Sequence, residues 1–364
     1  MYKRQEEDFE DENIGATVKK QMELQPKDKW GKYVRAPLIY YKIIQHPKIT
    51  SLSEIAEIRF GIKTGANKFF ILDSEKVKLW GIEKEYLAPV VTSPKDVKTE
   101  IKLEDISKWI LMVHEPKDVL KIKNANVLKY IEHGENIEVK IKGGTKGGTT
   151  VKGYQNISSV KSRINWYDIG KRQPAPILRY RRVWERCVFP LNKAKAYAID
   201  TFNEIYPKVE GDATILAGIL NSSLTALLTE LHGRFYGGGV LELEIYECKN
   251  LPVLNPKELS VKERQRIENA FSRVCEAQNK GDEKLEQEAR MELDNAVFDV
   301  LGLSKDERKQ VYEGLESLRR MRLSRKKVDI FVETAEKWKP HKKPKKEKRV
   351  RTEPSKRLDT WIKS

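Results

Sequence analysis

Hydrophobic positions change their spacing along the chain, and the changes predict three kinds of structure. Between residues 30 and 72, short apolar runs alternate with Pro, Gly and Asn, as in strands joined by tight turns. From Asp212 onward, apolar residues recur every three or four positions. This spacing predicts one helix over residues 212–233, which Asp212 caps and Gly233 ends.

The second half of the chain combines one more strand with a helical end. Residues 241–247 alternate, which predicts a half-buried strand with Leu241, Leu243 and Ile245 on one face. Beyond Pro256, apolar residues at helical spacing predict three helices, around residues 267–274, 285–301 and 311–318.

These patterns predict an α+β protein, in which a mixed-sheet domain is followed by a helical module and a disordered basic tail. The predicted segments are an acidic mobile lead at 1–25, the sheet-containing domain at 26–256, the helical module at 257–335 and the tail at 336–364. The segment 141–153 holds five glycines, which favours either a hairpin tip or a mobile loop.

Charge narrows the class of partner. The 364 residues hold 70 Lys+Arg against 54 Asp+Glu, a formal net charge of +16, which favours a polyanion. No apolar stretch approaches the roughly 20 residues of a membrane span, and the start is acidic where a signal peptide is basic. We expect a cytoplasmic, nucleoid-associated protein without a membrane partner. Its three cysteines are too widely spaced for a zinc knuckle or a disulfide framework.

Three segments are candidates for nucleic-acid contact. Residues 161–186 interleave aromatic rings with eight Lys/Arg against two acids, and arginine forks suit phosphates and guanine edges while rings stack on bases. The alternative is an amphipathic sheet with core aromatics and solvated arginines. Residues 61–70 and 234–239 add glycines that let a backbone approach DNA. The candidate residues are Lys63, Thr64, Asn67, Lys68, Arg163, Trp166, Tyr167, Arg172, Arg179, Arg181, Arg182, Arg234, Tyr236, Gly237 and Gly238.

Motifs for catalysis are missing. Residues 235–239 match the FxGxG of S-adenosylmethionine pockets, but such a loop joins a strand to a helix, whereas here a helix precedes and a strand follows. The chain has no [DNS]PP[YF] tetrad, no GxxxxGK[ST], no HExxH and no GxSxG. We therefore expect no catalytic, cofactor-binding or metal-binding residue in this chain.

Several motifs in a fixed order carry a family resemblance that covers about residues 30–325. They are WGKYVRAP, IAEIRFGIKTGANKFFIL, RINWYDIG, ILNSSLTALL, GRFYGGGVLELEIYECKNLPV and ARMELDNAVFDVLGLSKDER. This set resembles the C-terminal half of TaqI-type adenine-specific DNA methyltransferases of restriction–modification systems. The resemblance implies a target recognition domain for double-stranded DNA. It also implies either that a separate catalytic subunit binds S-adenosylmethionine or that catalysis was lost by truncation of the gene, and that this chain would be inactive alone.

Two further expectations concern partners. Leu358, Trp361 and Ile362 end the basic tail at spacing i, i+3, i+4, which is similar to the peptide that binds the replication sliding clamp, although Ser355 replaces its glutamine. A DNA-tethering tail with incidental apolar residues is the other interpretation. For the whole chain, the alternative function is a stand-alone DNA-binding or RNA-binding adaptor without a methylation role.

Overall fold

A computed structural model describes residues 35–94, 98–141 and 148–336, together with two paired dipeptide strands near the start. The remainder of the predicted lead, the tail from residue 337 and the clamp-like Leu358, Trp361 and Ile362 lie outside the described residues. The described part has mixed sheets and a helical end, which confirms the predicted α+β class.

The helices are α1 Leu38–Ile44, α2 Leu52–Ile55, α3 Asn67–Phe70, α4 Ser74–Trp80, α5 Lys117–Ile122, α6 Asn126–Asn136, α7 Ala213–Leu220, α8 Ser223–His232, α9 Ile245–Lys249, α10 Val261–Lys280, α11 Glu283–Val300 and α12 Lys305–Glu336. The strands are β1 Phe9–Glu10, β2 Gly15–Ala16, β3 Ile49–Ser51, β4 Ala56–Phe60, β5 Ile71–Asp73, β6 Leu87–Val91, β7 Glu100–Ile101, β8 Lys108–Leu111, β9 Glu138–Ile141, β10 Thr149–Lys152, β11 Ile177–Tyr180, β12 Arg182–Val183, β13 Leu191–Asn192, β14 Tyr197–Ala198, β15 Phe202–Pro207, β16 Arg234–Tyr236, β17 Val240–Glu242 and β18 Pro252–Leu254.

Three sheets form the framework. The largest has the order β4-β15-β11-β13-β7, and only its β13–β7 pair is parallel. A second sheet has the order β14-β6-β8-β5, and a third has the order β12-β17-β16. Strands β9 and β10 form an antiparallel hairpin, which confirms one of the two interpretations of the glycine-rich segment 141–153; residues 142–147 of it are outside the described part.

One hydrophobic core, the main core, joins the five-stranded sheet to the helical end. It includes Ile58, Ile177 and Ile205 from the sheet and Ile267 and Phe271 from α10. Gly218 lets α10 approach α7 closely, since a Cβ there would lie 3.1 Å from Ile267 Cγ2. The predicted division at residue 256 therefore separates two parts that share this core, and it stays a prediction.

A second core is built from aromatic rings and supports one end of the molecule. In this aromatic core the Phe69 ring stacks on Tyr130 with a centroid distance of 4.7 Å, and Trp166 lies 4.6 Å from the same ring. Ring pairs at these separations stabilise a core beyond their buried area.

Residues 212–233 form two helices instead of the single helix predicted. Asn221 interrupts the helix because its buried amide donates to Phe189 O at 2.7 Å and its Oδ1 accepts from Phe189 N at 3.1 Å. Ser222 then caps α8, and α7 and α8 meet at 67°. Asp212 caps nothing with its side chain and instead pairs with Arg264. The predicted end at Gly233 is confirmed.

Two predicted strands are also wrong in part. The run 38–44 is helical, because Pro37 precedes it and Ile39, Tyr40 and Ile43 form one buried stripe. The strand predicted over 241–247 ends at Glu242, because residues 244–247 form a capping box that starts α9.

No single described helix is long and apolar enough to cross a membrane. The bent pair α7–α8 meets the length and composition test, and most of its residues are buried in the protein.

Candidate nucleic-acid interface

A glycine-containing loop at residues 61–67, the glycine loop, follows β4 and is held close to the backbone of residues 198–199. A Cβ on Gly61 would lie 2.2 Å from Ile199 O, so only glycine fits there. Gly65 has φ +76°, and a Cβ on it would lie 2.8 Å from Val160 Cγ1. The close approach of neighbouring residues thus explains why glycine occupies both positions.

Arg163 fixes the exposed side of the glycine loop. Its Nη2 donates to Lys63 O at 3.2 Å and to Thr64 O at 2.8 Å. Ser159 Oγ donates to Gly65 O at 2.7 Å. Burial lowers the pKa of the Arg163 guanidinium. The loop is thus tied to residues 159–163 by hydrogen bonds to its carbonyl groups, which limits its freedom to move.

Lys63 and Lys68 lie in and just after the glycine loop, Lys161 adjoins Val160, which is close to Gly65, and Lys171 adjoins Arg172, which donates to Phe60 O. All four are exposed, and we call them the lysine rim. Within the described part of the chain, none of their ammonium groups lies within 4.0 Å of a carboxylate. Such cations are available to phosphate, and each one that contacts DNA releases counterions. Ile164, between them in sequence, is fully exposed at 102 %.

The three-stranded sheet β12-β17-β16 presents an arginine-bearing surface beside the loop. Arg182 and Arg234 both lie opposite Glu242 of the central strand, one on each side. Because directly opposed residues point to the same face of a sheet, these three side chains share one face. We call it the outer face, since Val183, Leu241 and Phe235 on the other side pack on the main core.

The arginines of this region have carboxylate partners from a distant part of the sequence. Arg181 Nη2 lies 2.5 Å from Glu244 Oε1, Arg182 Nε 2.8 Å from Glu242 Oε1, and Arg234 Nη2 2.7 Å from Glu247 Oε1. The hydrogen bond that Arg182 donates to Glu242 raises the pKa of the Arg182 guanidinium. Glu242 and Glu244 therefore balance Arg181 and Arg182 of the segment 161–186, and Glu247 balances Arg234.

Phe60 connects the glycine loop to the outer face. Lys63 Nζ lies 5.0 Å from the centroid of its ring, and Arg181 Cζ lies 5.1 Å from the same centroid. Arg172 Nη1 donates to Phe60 O at 3.1 Å and pairs with Glu204 at 3.1 Å. Lys63, Arg163, Arg172, Arg181, Arg182 and Arg234 thus follow one another along one continuous band.

Four of the candidate residues are buried, and their burial contradicts a direct contact with DNA. Arg179 has no exposed surface and donates to Cys187 Sγ at 3.3 Å and to Leu243 O at 3.2 Å. Trp166 and Tyr167 belong to the aromatic core, and Trp166 Nε1 donates to Glu135 at 2.7 Å. Thr64 is buried and donates to Asn67. These four residues support the band from the interior of the protein.

The remaining candidates are accessible. Asn67 and Lys68 are exposed at the start of α3, and Tyr236 is 46 % exposed at the end of β16. Gly237 and Gly238 form the turn of a β-hairpin between β16 and β17, so the loop joins two antiparallel strands. The apolar spacing predicts a helix directly before this loop and gives no sign of the intervening strand β16.

Several accessible residues were missed from the sequence. Lys161 and Lys171 belong to the lysine rim, Ile164 is an exposed apolar side chain between them in sequence, and Trp184 is a second exposed apolar side chain, directly after β12. Only Trp184 gave a signal, as one of the aromatic residues interleaved with arginine. The described residues contain no group of three or more His, Cys, Asp or Glu side chains that could hold a metal ion, and all three cysteines are buried free thiols.

Comparison with known proteins finds a matching family and similar proteins for this chain. Residues 27–286 match the family described as "Type II methyltransferase M.Eco57I, C-terminal domain". The Type II methyltransferase M.AccI of Acinetobacter calcoaceticus is 26 % identical, over 61 % of this chain and 39 % of that protein. The chain thus spans well under half the length of that relative. The structure of the type IIG restriction endonuclease BpuSI covers 74 % of this chain and 33 % of its own, with 14 % identity and a TM-score of 0.46.

Proposed function

Because the chain belongs to the family of Type II methyltransferase M.Eco57I C-terminal domains, we propose that it recognises the DNA target of a restriction–modification methyltransferase. The observation that supports this most directly is the lysine rim on a rigid glycine loop, continuous with the arginine-bearing outer face. Unpaired lysines supply affinity for phosphate, and side chains on a fixed backbone can read base edges.

We propose further that the target base is adenine and that methyl transfer takes place on a separate catalytic subunit. The adenine assignment rests on the resemblance of the ordered motifs to TaqI-type enzymes. Methylating the amine of adenine requires the base to leave the stack, so one module must hold the duplex while a catalytic pocket receives the base. In this arrangement S-adenosylmethionine binds to the partner, and this chain grips the double-stranded DNA.

Binding of the full chain to duplex DNA, measured by fluorescence anisotropy between 50 and 300 mM salt, tests the proposal. The logarithm of affinity should fall steeply with the logarithm of salt, by a slope of about 0.9 per phosphate contact. Replacing all four lysines of the rim by Ala should weaken binding and flatten that slope by up to about 3.6, which is four contacts at about 0.9 each.

A matched control removes the same charge elsewhere. Lys121, Lys262, Lys284 and Lys305 are exposed lysines that, within the described residues, have no carboxylate within 4.0 Å. Their fourfold Ala variant should keep most of the wild-type slope. Equal losses in the two variants would mean that only net charge matters, and the proposed interface would then be rejected. Tighter binding to an RNA duplex than to DNA would favour the RNA-binding adaptor.

A further inference from the structure

The outer face of the three-stranded sheet carries two exposed aromatic rings. Tyr236 lies opposite Val240 in the β16–β17 pair, and Trp184 follows β12 at the position that continues its register to Val240. Side chains alternate along a strand, so Tyr236 lies on the same face as Arg234, and Trp184, in the bend directly after β12, stands where this alternation would continue the face of Arg182. The exposed fractions are 48 % for Trp184 and 46 % for Tyr236.

The spacing between the two rings suits one flat group. They are carried by the two strands that flank β17, and two strand spacings amount to about 10 Å. An aromatic ring inserted between two others needs roughly 7 Å, because stacked rings lie about 3.5 Å apart, close to the optimal contact distance between carbon atoms. Rings on flexible side chains can close that gap.

The charges on this face favour an uncharged flat group over a phosphate. Arg182 has Glu242 as its partner and Arg234 has Glu247, so each guanidinium is balanced by a carboxylate. Aromatic rings and guanidinium planes together form a surface on which a nucleobase stacks.

One buried arginine fixes both segments that carry the rings. Arg322 of α12 has no exposed side-chain surface and pairs through Nε and Nη2 with Glu230, at 2.8 and 2.7 Å. Its Nη1 donates to Trp184 O at 2.5 Å and to Gly239 O at 2.6 Å. Its guanidinium thus bonds both to the residue that bears one ring and to the turn that follows the other.

The turn after Tyr236 also packs against helix α12. Gly239 has φ +77°, and a Cβ on it would lie 3.2 Å from Arg322 O, so the hairpin packs directly on the backbone of α12. The backbone that positions both rings is therefore fixed before any ligand arrives. Such pre-organisation reduces the entropy lost on binding.

We propose that Trp184 and Tyr236 form a stacking site for an unpaired nucleobase of a DNA duplex. This inference rests on the proposed function and adds the state of the DNA that is recognised: the lysine rim holds the phosphates, and the outer face holds a base that has lost its partner. A duplex in which one base is flipped out contains such an unpaired base on the opposite strand.

The test compares a perfect 30-base-pair duplex with the same duplex carrying one bulged adenine, using the full chain. Wild type should bind the bulged duplex at least about tenfold more tightly. Trp184→Leu and Tyr236→Leu should each lower that preference, the ratio of the two affinities, about fivefold or more, the low end for base–aromatic stacking. Tyr246→Leu removes a tyrosine that is 60 % exposed on α9 and should leave the preference unchanged.

The two proposals fail in different ways. A wild-type chain that binds the perfect duplex with the expected salt slope but shows no preference for the bulge would overturn the stacking site and leave the proposed function standing. The same holds if both leucine variants keep the full preference. A chain that binds neither duplex would overturn the proposed function. Melting curves of each variant show whether it is folded.

Discussion

Replacing Arg322 by methionine should destabilise the protein far more than any exposed arginine would. The change leaves Glu230, which is 3 % exposed, as a buried charge without its bidentate partner, and it removes the donor to the carbonyls of Trp184 and Gly239. Breaking a buried ion pair from one side costs about 3–5 kcal/mol. The lost hydrogen bonds to the Trp184 and Gly239 carbonyls do not add separately to this free-energy cost, because interactions of one group are not additive.

Urea unfolding of the full chain measures this change in the free energy of unfolding. Arg320→Met is the matched control, because Arg320 sits two residues away on the same helix and forms an exposed pair with Glu316; it should cost about 0.5 kcal/mol or less. Adding Glu230→Leu to Arg322→Met removes the stranded charge and should recover part of the loss. Hydrogen exchange should quicken at residues 184–185 and 237–239.

A cost below about 1 kcal/mol for Arg322→Met would refute this reasoning. So would a double variant that loses the sum of the two single changes, since the energy would then not come from the pair. In either case, the argument that α12 fixes the segments carrying Trp184 and Tyr236 would lose its basis.

One further outcome follows from the structure, and two follow from the sequence. The hydrogen bond from Lys42 lowers the pKa of Glu307 below its ordinary value of 4.5, so its contribution to stability is present above that pH and is lost as pH falls through the lower folded value; melting curves from pH 7 to 3 should therefore fall less steeply for Glu307→Gln than for wild type. The chain without a catalytic subunit should bind no S-adenosylmethionine in calorimetry and transfer no labelled methyl group to DNA, and tight binding or transfer would contradict the proposed division of labour. A peptide of residues 350–364 should bind the host sliding clamp, and Leu358→Ala with Trp361→Ala should abolish that binding; an intact peptide that shows none at high micromolar concentration would exclude the clamp.

The long helices could be predicted from sequence because their apolar spacing continues over several turns. Residues 267–274 and 285–301 indeed fall in α10 and α11. The short elements could not be predicted in this way. The break at Asn221 depends on hydrogen bonds to Phe189, which is 32 residues away, and spacing within the helix carries no trace of that contact.

For the candidate interface, too, residue types could be recognised from the sequence, whereas contacts between residues distant in sequence could not. The glycine loop and the arginines were visible as residue types, and the structure brings many of them into one band. Their charge balance was not visible, because the partners of Arg181 and Arg182, Glu244 and Glu242, come from 63 and 60 residues further along the chain. Arg179 looks like its neighbours in sequence, yet its position on the central strand β11 buries it.

Selection of DNA from a random pool measures the central claim most directly. The full chain is mixed with duplexes that contain a randomised segment, bound DNA is recovered at physiological salt, and several rounds are sequenced. A target recognition domain should converge on one defined sequence and bind it at least about 10³-fold more tightly than random duplex, the lower end for specific DNA-binding proteins. A pool that stays random, with selected and unselected duplexes bound equally, would contradict the claim.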